Sequence, residues 1–290
     1  METVTRQRIP ENRRVKTNAD ETRSAPDEGV RRGVRGGERR RRFSCAILQW
    51  IDVSGFRSIF HPGRCVETLN FILANLPAIG QRTIQHISIV GVAVGLAILT
   101  GVPIGIAITQ NKRAAEIVLY VAAMIMTIPS IALFGVMMPL LALFGQGIGY
   151  VPAVIAVLLY SQLPIIRNTY TAITNVDPAL REAARGMGMS ALQRLTQVEL
   201  PIAVPVIMAG VRVAVVINIG ITAIATYIGA GGLGAFISRG ISQTDTRQLI
   251  TGALAVSVLA IFADYFLLWV QRMLTPKGLR LVPAQVARAA

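Results

Sequence analysis

A polar stretch of the chain, residues 177–201, combines residue types and spacings that suit binding to a soluble partner. Its residues follow the pattern E-A-A-x3-G-x9-V-x-L-P, and the candidate partner-binding residues within it are Glu182, Ala183, Ala184, Gly186, Gly188, Leu200 and Pro201. The carboxylate of Glu182 can accept hydrogen bonds from the stretch itself or from a partner. The two small alanines would let a partner surface close over them. This chemistry is recognition rather than catalysis.

Local signals predict how this stretch folds. Asp177 offers a side-chain acceptor for a helix N-terminus, and Pro178 suits the first turn, where its missing N–H costs nothing. The two glycines then interrupt the helix. Ser190 can cap a second short helix, and Pro201 stands at the first turn of the apolar segment that follows. We therefore predict a helix–glycine–helix unit, called here the hook (residues 177–201).

The rest of the chain is too apolar for a soluble protein. Hydrophobic residues make up 53% of the 290 residues, charged residues only 15%, and the mean hydropathy is +0.55. Several windows exceed the roughly 20 apolar residues that cross a bilayer as a helix. The composition predicts an all-α polytopic membrane protein.

The apolar windows predict five spans, at about residues 84–109, 115–145, 151–170, 202–227 and 248–271. The second is long enough to contain a broken or oblique part near Pro129. These spans form a predicted transmembrane domain, 83–272, followed by a cytoplasmic tail, 273–290. Because basic loops favour the cytoplasm, the positive-inside rule places the hook there and the loops at 145–151 and 228–247 outside.

The residues before the spans are of a different kind. Residues 61–82 have apolar residues at helical spacing and predict an amphipathic helix at the membrane surface, or a sixth crossing. Residues 1–60 hold much of the basic charge, with 13 of the 29 Lys and Arg in the first 43 positions. This tail is too polar to bury a core, so we expect it to be disordered and to touch anionic lipid rather than nucleic acid. With five spans the tail lies outside, which contradicts the positive-inside rule. The sequence leaves open on which side of the membrane the tail lies. It also leaves open whether the true translation start lies elsewhere.

Four polar residues inside the predicted spans are candidates for a role in the membrane. Arg212 and Asp264 lie at depths that allow pairing, and we favour a structural ion pair over a substrate contact. Asn218 and Thr222 are one helical turn apart and could line a translocation path or gate, or hydrogen-bond between helices. The two cysteines and two histidines show no spacing of metal ligands, so we expect no metal site.

Nucleotide motifs do not explain the chain. Residues 229–234 satisfy G-x-G-x-x-G, but a dinucleotide site needs a preceding strand and a soluble βαβ unit, whereas these glycines follow a predicted span. No G-x-x-x-x-G-K-[ST] motif occurs. We expect no cofactor in this chain and no catalytic residue. If ATP is used, another chain must hydrolyse it.

Longer runs carry a resemblance that covers about residues 84–279. They are T-I-P-S at 127–130, L-P-I-I-R-N-T-Y at 163–170, V-I-M-A-G-V-R at 206–212, I-G-A-G-G-L-G at 228–234 and T-P-K-G at 275–278, together with the hook. With these runs the chain resembles permease subunits of osmoprotectant ABC importers, which take up glycine betaine, carnitine, choline or proline. The hook matches the EAA coupling loop of such permeases, with Val198 where isoleucine is more usual.

The resemblance implies a type I importer permease core of five transmembrane helices, or six, in the bacterial inner membrane. It implies three kinds of partner: a cytoplasmic ATPase that binds Mg-ATP and docks on the hook, an extracytoplasmic substrate-binding protein, and a second permease, identical or related. The alternative is an ion-coupled carrier or channel that works without an ATPase. It is disfavoured because Asp264 is the only acidic residue deep in a span and has an arginine to pair with.

Overall fold

The computed structural model describes residues 62–275, with side chains from residue 66 onward, and this part of the chain is built from helices. In chain order the helices are α1 (Pro62–Ala74), α2 (Leu76–Ala107), α3 (Lys112–Thr127), α4 (Ser130–Ala142), α5 (Tyr150–Thr174), α6 (Pro178–Gly186), α7 (Ala191–Arg194), α8 (Leu200–Ile224), α9 (Gly234–Ser242) and α10 (Thr246–Leu274). The predicted tail at 1–60 and most of the predicted tail at 273–290 lie outside the described residues.

Four helical segments of the described chain are long and apolar enough to cross a membrane, namely Leu76–Gln110, Tyr150–Thr174, Ala191–Ile228 and Thr246–Leu274. Helices α3 and α4 add a fifth crossing if the pair is counted as one span, and they meet at an angle of 99°. The prediction of five spans with a broken second one therefore matches this part of the fold.

The break in the second span follows from Pro129. A residue before proline is pushed out of helical geometry, and Ile128 is extended, with φ −66° and ψ 127°. A free backbone carbonyl is costly in lipid. The hydroxyl of Tyr160, on α5, donates to the Ile128 carbonyl and so satisfies it within the protein.

The first span begins earlier than predicted. The segment 61–82, expected as one interfacial helix, is divided at Asn75, and its second half belongs to α2. Pro77 explains the division, because a proline in the first turn of a helix needs no hydrogen-bond partner for its nitrogen. The Asn75 side chain donates to the Phe71 carbonyl at 2.9 Å and closes α1.

The spans bring the connecting segments together at two ends of the bundle. One end, the hook end, carries residues 108–113, the hook and the C-terminus of α10. At the other, the glycine-loop end, Gly149 N donates to Ile228 O at 2.9 Å and Tyr150 Oη to Ser88 O at 3.2 Å. The region 228–247, predicted as a loop, lies at this second end and contains helix α9.

Helices α2, α5, α8 and α10 form the core, with α5 packed between α2 and α8. Small residues allow the close approach of α2 and α5. A Cβ on Gly105 would lie 2.6 Å from Thr169 Cβ and 3.1 Å from Ile166 O. Gly91, on the same helix, has no neighbour within 4 Å of such a Cβ.

This difference gives a matched pair of substitutions on one helix. We expect Gly105→Ala to lower the thermal unfolding midpoint of the purified protein, because overpacking a core costs about 1–3 kcal/mol. Gly91→Ala should leave the midpoint unchanged or raise it, since alanine is the better helix former. Equal midpoints for the two variants in a thermal unfolding measurement would contradict the packing described here.

Candidate functional site

The first half of the hook is helix α6 followed by a tight turn. The Asp177 carboxylate accepts from Ala179 N at 2.9 Å, with Pro178 as the first helical residue. The helix ends at Gly186, and Gly188 takes φ +77°, a left-handed conformation that favours glycine. This half has the helix–glycine arrangement that the sequence indicates.

The second half is not a separate helix. Ser190 and Gln193 form a capping box, with Gln193 N donating to Ser190 Oγ at 3.3 Å and Ser190 N to Gln193 Oε1 at 2.9 Å. From there the chain continues through a π-helical turn at 195–199 straight into α8. Pro201 therefore lies inside a continuous helical segment rather than at the start of one. We attribute the wider, π-helical turn to Pro201, because proline has no backbone N–H to donate and its ring crowds the preceding turn of the helix.

The motif residues of the hook divide into exposed and buried ones. Glu182, Ala183, Gly186 and Gly188 are exposed, whereas Ala184 is turned inward and only 1% exposed. A partner can therefore close over Ala183 but not over Ala184, which instead lets α6 pack on the rest of the hook. Leu200 and Pro201 are half-buried.

Three large apolar side chains stand out from the hook. Leu180 is 45% exposed, Met187 72% and Leu192 70%. They lie in a segment that, unlike the spans, carries polar and charged residues. Exposed apolar residues rimmed by polar ones are typical of protein-binding surfaces. We refer to these three residues and Ala183 together as the hook patch.

Sequence reasoning missed the residue that ties the hook together. Glu199 occupies an unspecified position of the motif, yet it is buried, with its side chain 8% exposed. Its Oε1 lies 3.3 Å from Arg181 Nε and 3.0 Å from Arg194 Nε. The only signal in the sequence was a carboxylate five residues after an arginine, a spacing that does not bring two side chains together on a regular α-helix.

The same cluster reaches the preceding span. Arg181 also donates to the carbonyl of Ile173, in the last turn of α5. A buried carboxylate needs compensating charge and hydrogen bonds, and Glu199 has positive charge from Arg181 and Arg194 and a hydrogen bond from Arg194. The contacts join the end of α5, helix α6 and the start of α8 into one unit.

Inside the membrane region, Arg212 on α8 and Asp264 on α10 are in contact. Arg212 Nη2 lies 3.1 Å from Asp264 Oδ2, and Arg212 Nε donates to Asp264 Oδ1, so the pair is bidentate. Both side chains are about one-third exposed, at 32% and 33%. The pair links two neighbouring helices, so the contact is present, while its structural role, as opposed to a substrate contact, stays a prediction.

A test separates a structural pair from a substrate contact. We expect Asp264→Asn to lower the thermal unfolding midpoint, because it leaves the Arg212 charge without its carboxylate. The double variant Arg212→Met/Asp264→Leu should recover most of that loss and retain transport. Restored stability without transport in the double variant would instead assign the pair a role toward substrate.

Asn218 and Thr222 lie between helices and not on an open path. They are 1% and 0% exposed. Asn218 Nδ2 donates to Ser161 Oγ, on α5, at 2.7 Å. Among the described residues, Asn218 Oδ1 and Thr222 Oγ1 have no hydrogen-bond partner. Contact between helices is thus seen for Asn218, while a role of the two residues in a gate stays a prediction.

The glycine loop, Gly229–Gly234, follows a helical turn and not a strand. Gly229, Gly231 and Gly232 have φ between 80° and 83°. The loop is held against α2 by His86, which is 0% exposed. Leu233 N donates to His86 Nδ1 at 3.3 Å, so the other ring nitrogen carries the proton and donates to Ile219 O at 3.0 Å.

Comparisons with known proteins agree on one family. The family model described as "Binding-protein-dependent transport system inner membrane component" matches residues 97–278. The osmoprotectant import permease protein OsmW of Salmonella typhimurium is 54% identical over 215 residues, which cover 74% of this chain and all of the relative. The glycine betaine/carnitine/choline transport system permease protein OpuCB of Bacillus subtilis is 39% identical over 214 residues, covering 74% of this chain and 96% of the relative.

Solved structures show the same fold. The MetNI methionine ABC transporter, in an inward-facing conformation, aligns with a TM-score of 0.63 at 21% identity, over 68% of this chain and 96% of that chain. An amino acid ABC transporter solved with histidines aligns with a TM-score of 0.58 at 21% identity, over 70% and 96%. The helices described above are therefore arranged as in transmembrane subunits of ABC importers.

Proposed function

Because this chain belongs to the family of binding-protein-dependent transport system inner membrane components, we propose that it provides the path by which an osmoprotectant crosses the inner membrane. The solute would be a compound such as glycine betaine, choline, carnitine or proline. The observation that carries this proposal is the 54% identity to an osmoprotectant import permease over that relative's whole length. The chain itself is the non-enzymatic permease subunit, and ATP hydrolysis lies in a separate subunit.

The hook is the proposed docking site of that ATPase. Its support is the hook patch, where Leu180, Met187 and Leu192 are exposed at the end of the bundle that also carries Lys112 and Arg113. Basic residues favour the cytoplasmic side, which is where an ATPase operates. Mg-ATP would be bound by the partner, and this chain would supply apolar contacts and the Glu182 carboxylate.

Movement of the ATPase would reach the spans through Glu199. Because Arg181, Arg194 and the Ile173 carbonyl hold α6 to the ends of α5 and α8, a push on the patch is not absorbed by the hook. The push on the hook patch instead tilts the two core helices α5 and α8. The glycine-loop end then faces the substrate-binding protein outside, and the permease pairs with a second copy of itself or with a related chain.

Solute uptake tests the proposal. This chain would be expressed with its ATPase and binding protein in a host that lacks osmoprotectant uptake, and uptake of radiolabelled glycine betaine, choline, carnitine and proline would be followed at high osmolarity. We expect uptake that requires the ATPase. Uptake that persists when the ATPase is inactivated would favour an ion-coupled carrier. An assembled complex that takes up none of the four solutes would overturn the assigned substrate class.

A further inference from the structure

A shallow pocket of about 220 Å³ opens at the glycine-loop end, between the first turns of α2, the glycine loop and α9. Its lining includes two arginines, two hydroxyl residues and two glycines: Arg82, Arg239, Thr226, Ser238, Gly229 and Gly231. No other function described above uses these side chains. The pocket is therefore a polar feature of this end that has no role yet.

Among residues 66–275, no carboxylate forms an ion pair with either arginine. Arg82 is half-buried, and its Nη1 lies 3.3 Å from Gln85 Oε1; Arg239 is exposed in the last turn of α9. The ion pairs of Glu199, Asp264 and Asp245 involve other arginines. Because both arginines line the pocket, an anion bound there would meet two positive charges.

The floor of the pocket is already fixed in place. Thr226 Oγ1 donates to Gly231 O at 2.8 Å, and Gly232 N donates to Gln85 Oε1 at 3.3 Å. The buried His86 holds the next residue of the loop. A ligand would therefore meet a formed site and would not need to order the loop, which lowers the entropic cost of binding.

We propose that this pocket binds an aspartate or glutamate side chain on the surface of the substrate-binding protein. This inference rests on the proposed function, which puts the glycine-loop end outside. Guanidinium groups suit carboxylates because their N–H groups match both oxygens. The chain's own residues 1–60 are a poor source of the anion, since they carry 14 Lys and Arg against 8 Asp and Glu.

A phospholipid headgroup is the competing source of an anion. A carboxylate of a protein is the better candidate than a lipid headgroup, because the pocket lies at the end of the bundle, on the loop that joins α8 to α9. The large apolar side chains that lipid would cover lie along the spans, such as Phe262 and Tyr265 on α10, which are 67% and 68% exposed. A ligand would thus reach the pocket from the aqueous side of the bundle end and not from the lipid that surrounds the spans.

The test measures binding of the substrate-loaded binding protein to the permease–ATPase complex in lipid nanodiscs. For Arg82→Gln/Arg239→Gln we expect Kd to rise about tenfold or more and to lose most of its dependence on salt. Arg247→Gln is the matched control. It removes the same charge at the same end, but Arg247 is already paired with Asp245, so Kd should change by about twofold or less.

Each other outcome has a definite meaning. An unchanged Kd and salt dependence in the double variant, with uptake by the wild type intact, would overturn the inference and leave the proposed function standing. An unchanged Kd with loss of co-purifying anionic phospholipid would overturn it in favour of a headgroup site. Failure of the wild-type complex both to bind the loaded protein and to take up solute would overturn the proposed function and this inference together.

Discussion

Replacing Gly188 with tryptophan is expected to abolish solute uptake while the protein still inserts in the membrane. Gly188 adopts φ +77°, where a side chain other than hydrogen strains the backbone by about 1–2 kcal/mol. A Cβ there would meet nothing within 4 Å, so the indole would not clash inside the chain. It would project from the turn beside the hook patch, where the ATPase has to dock. Radiolabelled glycine betaine uptake, normalised to membrane content, measures the effect.

Two milder variants separate strain from bulk. Gly188→Ala introduces the same backbone strain as Gly188→Trp but adds almost no volume, so we expect only a partial loss of uptake. Gly186→Ala adds the same methyl group two residues earlier, at a position with ordinary φ and open space, and should be neutral. Full uptake by Gly188→Trp at normal membrane levels would show that the hook is not where the ATPase acts.

The second large effect is expected from Glu199→Gln, which should reduce uptake at least tenfold while the spans stay folded. The substitution keeps the size of the side chain but removes the charge that holds Arg181 and Arg194. Losing a charge-assisted contact to a buried carboxylate costs on the order of 1–3 kcal/mol, and the exposure of both arginines to solvent places the cost toward the low end. The hook would then flex when the ATPase closes, and ATP hydrolysis would continue with little transport.

The ratio of ATP hydrolysed to solute transported in reconstituted vesicles is the readout that distinguishes this role from simple instability. Glu116→Gln is the matched control, because Glu116 is an exposed glutamate at the same end of the bundle, on α3. We expect wild-type ratios from the control and a raised ratio from Glu199→Gln. If both variants transport solute at the wild-type ratio, Glu199 does not transmit the movement.

Local signals in the sequence were enough to predict several parts of this structure. Asp177-Pro178 predicted the start of α6, and Pro129 predicted a break in the second span, because proline and capping residues act over a few residues. The contact between Arg212 and Asp264 could be predicted from depth, since charges within spans are rare and need partners. Each of these inferences depends on a strong local rule.

Other parts depend on contacts between distant residues and left no such signal. In the sequence, nothing distinguishes Glu199 from an ordinary polar residue. Only the folded chain shows it buried between two arginines. His86 reads as an isolated histidine, yet it contacts residues more than 130 positions away. Helix α9 lies in a segment rich in glycine, and it is held on α10 where Gly240 and Gly252 allow close approach.

The interrupted second span also bears on biosynthesis. Helices α3 and α4 leave the ribosome before α5, so the Ile128 carbonyl enters the membrane before the Tyr160 hydroxyl that satisfies it exists. Until α5 arrives, that carbonyl must remain hydrated or be held by the insertion machinery. Helix α5 is thus needed to satisfy the backbone carbonyl left free between α3 and α4. We therefore expect these neighbouring segments to integrate cooperatively and not one helix at a time.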